Sequence, residues 1–204
     1  MKRRHFIQAC ALSLAAASRV QAQDRVIRIV VPFAPGGSAD LIPRLIAGAL
    51  AERLGQSVIV ENRPGAGGAV GALHVSRAAP DGLTLGVATV STHAIQPAVS
   101  ARPGYQPLRD FSPISNLADV PNIVSINPRL PAANLVEFVA LARRKDGELM
   151  FGSPGVGSLG HMMGELLAQT TGARLPHVPY RRAGAALEDG IAGHGDVLGD
   201  HLPA

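Results

Sequence analysis

From residue 26 onward, short runs of β-branched residues alternate with longer stretches in which apolar side chains return every three or four positions. Residues 26–33 (VIRIVVPF) predict a strand, and 40–54 predict a helix with Leu41, Leu45, Leu50 and Leu54 on its inward face. Residues 58–61 (VIVE) predict a second strand. A glycine-rich turn follows, then a helix over 69–79 and a third strand over 84–89 (TLGVAT). Strand, helix, strand, helix, strand in that order predicts parallel βαβ units with right-handed crossovers. Residues 102–113 (RPGYQPLRDFSP) are broken by proline and read as a surface loop. Beyond them, 114–118 and 122–127 predict strands, 134–144 an amphipathic helix ending in a basic run, 149–152 a strand, 159–170 a helix and 177–180 a strand. The pattern describes an α/β chain in two lobes, 23–120 and 121–204, with no repeat at solenoid spacing.

Composition narrows the core. Aromatic residues are 3% of the chain and Trp is absent, so the core must be built from Val, Leu, Ile and Ala. The formal net charge of +4 changes little, because Lys2, Arg3, Arg4 and Arg19 stand together near the start and the rest of the chain is balanced. A neutral body argues against a phosphate-backbone binder, and no nucleic-acid partner is expected.

Residues 1–22 read as an export signal: a basic start, the apolar stretch ACALSLAAA over 9–17, and Val20-Gln21-Ala22, after which signal peptidase would cut. The apolar run is too short to span a bilayer. Arg3-Arg4 before Phe6-Ile7 fits a twin-arginine signal and fits an ordinary basic start equally well. Cys10, the only cysteine, falls inside this segment, so the exported chain would hold no disulfide, thiolate metal site or cysteine nucleophile.

The candidate chemistry sits at strand ends. VPFAPGGSAD (31–40) follows the first strand and opens the first helix, where ligands of parallel sheets bind. Gly36 and Gly37 permit close backbone approach, Ser38 can cap the helix, and the free amides make a cradle for a carboxylate or a phosphate; a plain βα turn fits the same residues. Gly37 is followed by Ser38 and Ala39, without the lysine of a Walker loop, so nucleotide hydrolysis is not expected. Gly155-Val156-Gly157-Ser158-Leu159-Gly160 spells a dinucleotide fingerprint, and Arg181 and Arg182 stand where an NADP phosphate could be read, which gives an NADP-dependent oxidoreductase as the alternative. Pro154 spoils the usual turn before it, and the motif lies late in the chain. The seven histidines form no metal-binding or zincin spacing and no nucleophile elbow is present, so no metal, cofactor or catalytic residue is expected. His93 and His161, each beside a strand-to-helix turn, read as wall or packing residues rather than bases.

In combination, IRIVVPFAPGGSAD (27–40), LAERLGQSVIVENRPGAGGAVGA (50–72), FGSPGVGSLGHMMGELL (151–167) and HVPYRRAGAALEDGIAGHGDV (177–197) resemble the extracytoplasmic solute receptors of the tripartite tricarboxylate transporter family, the Bug-type receptors. That resemblance implies a two-lobed periplasmic-binding-protein-like fold with mostly parallel sheets, a non-enzymatic periplasmic monomer that captures a small carboxylate, and membrane transporter components as partners. Carried onto this chain, Phe33, Ala34, Gly36, Gly37 and Ser38 would form the carboxylate cradle, and Ser91, Thr92 and His93 a second wall. Ser153, Gly157, Ser158 and His161 would line the facing lobe. Near the end the family pattern of aromatic-Asp-Asn before Leu-Pro reads here as Gly199-Asp200-His201, with Asp200 in the cleft position. Family members continue beyond the point matching Ala204, so the resemblance implies a truncated receptor, incomplete at its C-terminus or a non-functional remnant, with apolar faces at Val30, Val60 and Val87 short of cover.

Overall fold

The computed structural model describes residues 26–180 and 183–201. The expected export signal, with Cys10 and Arg3-Arg4, and the Arg181-Arg182 pair lie outside the described residues.

Strand β1 (Ile27–Val31) is aliphatic at four of its five positions and is buried at all but Arg28. It therefore takes the centre of a three-stranded sheet, between β2 (Val58–Asn62) and β3 (Thr84–Gly86), both parallel to it. Ile29 faces Val60 on one side and Leu85 on the other. Helix α1 (Ser38–Leu54) crosses between β1 and β2 and ends at Gly55, whose left-handed φ of 61° lets its amide return to the Ala51 carbonyl. Its inward face differs from the expected leucine stripe. Leu41, Leu45 and Leu54 are exposed, Leu45 by 82%, whereas Pro43 is buried and Ile42, Ala47 and Leu50 are partly buried. Asp40 sets this rotation, because its carboxylate is held inward by the Gly36 amide of the preceding loop and by Asn62 of β2. Val30 is fully covered and Val60 and Val87 are half-buried, so the expected deficit is absent at Val30.

Helix α2 (Ala69–Ser76) packs beside β3, and a π-helical turn over Ser91–Ile95 runs into the short α3 (Gln96–Val99). Residues 101–121 form neither helix nor strand. The strand expected over 114–118 is absent from the sheets, and Ile114 is 81% exposed, because no neighbouring strand reaches it to accept its backbone groups. The proline-rich loop is nonetheless anchored. Tyr105 is buried, donates its hydroxyl to the Thr92 carbonyl, and meets Phe111 edge-on at 5.7 Å.

The second sheet has the order β4 (Asn122–Ile126), β7 (Val197–His201), β5 (Phe151–Ser153), β6 (His177–Pro179). Strand β4 runs antiparallel to β7 and the other pairings are parallel. Helix α4 (Leu135–Lys145) is capped by Asn134, which accepts from the Glu137 amide while Glu137 accepts from Ala133 in return. Its buried Phe138, Leu141 and Ala142 close over Phe151, Leu175 and Val197 to make the core of this half. Helices α5 (Leu159–Thr171) and α6 (Ala183–Ala192) complete it. The pair α6 and β7 follows β6 without a matching expectation from the hydrophobic pattern.

Candidate functional site

The carboxyl ends of both sheets open on one cavity of about 610 Å³. From the first sheet, Phe33, Ala34, Gly36, Gly37 and Ser38 line it, as does Ser91. From the second come Pro154, Val156, Ser158, Leu159 and Asp200.

The first wall is held by a carboxylate. Asp40, 3% exposed, accepts the Gly36 amide at 3.0 Å, Asn62 Nδ2 at 2.8 Å and Arg44 Nε at 3.0 Å. Asn62 Nδ2 also reaches the Phe33 carbonyl, so one amide group ties both ends of the turn to β2. Burial alone would raise the Asp40 carboxyl; the hydrogen bonds from Arg44, Asn62 and Gly36 outweigh it and hold the group below its ordinary value. The turn needs glycine at Gly36, where φ is 103°. Gly37 is extended (φ −82°) with open space around it, and it serves as the N-cap itself, so Ser38 is the first helical residue and caps nothing. In that first turn the Ser38 and Ala39 amides have no intrahelical acceptor.

Residues 64–68 form the neighbouring wall, which was not among the expected site residues. Its signal was present, because these glycines follow β2 as Gly36 and Gly37 follow β1. Thr92 and His93, expected on the second wall, stand behind it. Thr92 is fully buried, with its hydroxyl bonded to Thr89 and to His93 Nδ1. The His93 ring packs edge-on against Phe111 at 4.7 Å, and burial pushes its pKa down.

On the facing side, Ser158 caps α5 by accepting the His161 amide. Ser153, Gly157 and His161 do not line the cavity and act from behind. Ser153 is 1% exposed and 2.6 Å from His177 Nε2, and the Gly157 amide is given to His161 Nδ1 at 3.2 Å. Among the described residues, two side-chain hydrogen bonds reach between the halves. Gln96 Nε2 donates to the Val156 carbonyl at 3.2 Å, and the Leu159 amide donates to Ser91 Oγ at 2.9 Å. The 155–160 glycine turn thus touches the other half of the protein through Val156 and Leu159 while lining the cavity.

Asp200 enters from β7, its carboxyl pushed up by burial despite the backbone amide of His201. Asn122, Tyr180, Leu187 and His201 also line the cavity and were not anticipated. What the arrangement can do follows from its dipoles. Helices α1 and α5 both point N-termini into the space, each equivalent to roughly half a positive charge, which suits a carboxylate without a formal cation.

The sequence profile described as "Tripartite tricarboxylate transporter family receptor" matches residues 42–204. Protein BugT of Bordetella pertussis is 37% identical over 182 residues, 88% of this chain and 56% of BugT. Among solved structures, one described as an R. palustris protein with adipate is similar at 36% identity with a TM-score of 0.83, covering 88% of this chain and 60% of its own. MatC from Rhodopseudomonas palustris with bound malate is similar at 34% identity with a TM-score of 0.82, covering 87% of this chain and 60% of MatC. The chain therefore spans 56% to 60% of the length of these relatives.

Proposed function

The chain belongs to the tripartite tricarboxylate transporter receptor family, and from that premise we propose that it is a periplasmic solute receptor for a small carboxylate. The observation that carries the reading is the convergence of two helix N-termini, from opposite sheets, on one cavity. In this reading the lobes are 23–120 and 121–204, the ligand's carboxylate meets the amides around Gly37, Ser38 and Ala39, and Ser91, Ser158 and Asp200 complete its surroundings. Thr92, His93, Ser153, Gly157 and His161 support those walls from behind. The work is capture and release, without bond-making, and membrane components of a tripartite transporter receive the ligand. Export through residues 1–22, cleavage after Ala22 and action as a monomer belong to the same proposal. The relatives solved with adipate and with malate support the ligand class.

The test is a thermal-shift and calorimetry series with adipate, malate and the neutral diamide of adipate. A carboxylate should raise the melting temperature and the diamide should not, since the helix termini favour negative charge. Equal effects of acid and diamide, or none from any acid, would overturn the reading.

A further inference from the structure

Behind the facing side, at residues 155–158, lie two imidazoles whose hydrogen bonds account for the shape of the loop in front of them. The His161 and His177 rings are 4.1 Å apart, tilted by 35°. His161 Nδ1 accepts the Gly157 amide at 3.2 Å, which places the proton of the neutral ring on Nε2, 3.5 Å from Glu165 Oε1. His177 Nε2 stands 2.6 Å from Ser153 Oγ. Ser153 Oγ also accepts the Gly155 amide at 3.2 Å and the Ser158 hydroxyl at 3.4 Å. With both its lone pairs taken, Ser153 gives its proton to a neutral His177 Nε2 or to the Gly155 carbonyl 3.3 Å away, and it has no lone pair for a third donor. The accounting closes only while both rings are neutral.

We propose that His161 and His177 are positioning residues: in their neutral form they hold the 155–158 wall of the ligand cavity, and protonating either ring releases it, so that capture is coupled to pH. This rests on the carboxylate-receptor reading of the cavity. A protonated His161 turns Nδ1 into a donor facing the Gly157 donor. A protonated His177 brings a third donor to Ser153, which displaces the Ser158 hydroxyl and weakens the cap of α5. Release of this loop also removes the partners of Gln96 and Ser91, which hydrogen-bond across the halves. The charged groups facing the pair are few. Glu165 on α5 lies 3.5 Å from His161 Nε2; burial, and then His161, keep the His177 pKa below the ordinary value despite Glu165. Asp200 on β7, Tyr180 after β6, Asp40 behind the first wall and His93 behind the second are other shifted groups near the cavity.

The experiment follows the Gly157 amide by nitrogen–proton NMR in the ligand-free chain between about pH 5 and 8, the range of imidazole titration, and measures adipate binding by calorimetry over the same range. The Gly157 resonance should move and lose exchange protection with the midpoint of the His161 ring. Adipate affinity should fall at least about tenfold on acidification. His161→Gln, whose carbonyl can accept the same amide without titrating, should bind adipate with a flattened pH profile, which separates His161 from Asp200 and His93. His177→Asn should leave the Gly157 titration in place and abolish the acid loss of the Ser158 cap. A Gly157 amide insensitive to pH, or an unchanged pH profile in His161→Gln, would overturn the proposal. Failure of any acid to bind, with the Gly157 titration intact, would overturn the receptor reading and support the coupling of the loop to the histidines.

Discussion

Replacing Asp40 by Ala tests whether a buried carboxylate, rather than the glycines themselves, holds the first wall. The side chain is 3% exposed and receives hydrogen bonds from Gly36, Asn62 and Arg44. Arg44 is 45% exposed and regains water when its partner goes, so the ion pair itself counts for little. The bonds from Gly36 and Asn62 to a charged acceptor are worth about 1.5–3 kcal/mol each, and the Gly36 amide, at an exposed position, recovers part of its share from water. The expected loss is about 3 kcal/mol, a large fraction of the roughly 5–15 kcal/mol that holds a domain together. Urea unfolding should show it as a lower midpoint at unchanged slope. Because the folded Asp40 carboxyl lies below its unfolded value, this stabilisation is present above the unfolded value and is lost as pH falls through the folded one; the parent and Asp40→Ala should therefore converge in strong acid. Asn62→Ala should be non-additive with it, since the two share one network. A loss under about 1 kcal/mol at neutral pH, or full additivity with Asn62→Ala, would refute the reasoning.

Gly68→Ala should cost about 2–5 kcal/mol by urea unfolding, because φ is 98° and the added Cβ would sit 2.5 Å from Thr92 Cγ2 and 3.2 Å from the Phe33 ring; a variant as stable as the parent would show that these walls part easily. Asp200→Asn should raise the melting temperature at neutral pH, by roughly 2–4 °C for each kcal/mol relieved. The Asp200 carboxyl is raised in the fold, so its stability is fully present below the unfolded value and is lost as pH rises through the folded one; the variant should lack that loss, and a scan across pH on both proteins checks it.

Local features of the chain determined much of the first half. The β-branched run of β1, the helical spacing after it and the glycines at the strand ends are all short-range signals, and they placed Phe33 to Ser38 at a cavity wall before any contact was known. The Asn134–Glu137 cap was equally local, set by side chains three residues apart. A 3.6-residue period says that a helix has an apolar face but not which neighbours claim it. The rotation of α1 was decided by Asp40 reaching Asn62, 22 residues away, which left Leu45 in water. Strand β7 is a stronger case. Its short run Val197-Leu198-Gly199 carries little pattern, yet it inserts between β4 and β5 and brings Asp200 into the cavity, because it supplies the hydrogen bonds those two strands lack. The same holds for His161, which stands next to the site in sequence but turns its ring toward the Gly157 amide and His177. Sequence spacing fixes which residues are neighbours along the chain, and only packing between distant segments decides which of them face the ligand space and which hold the wall behind it.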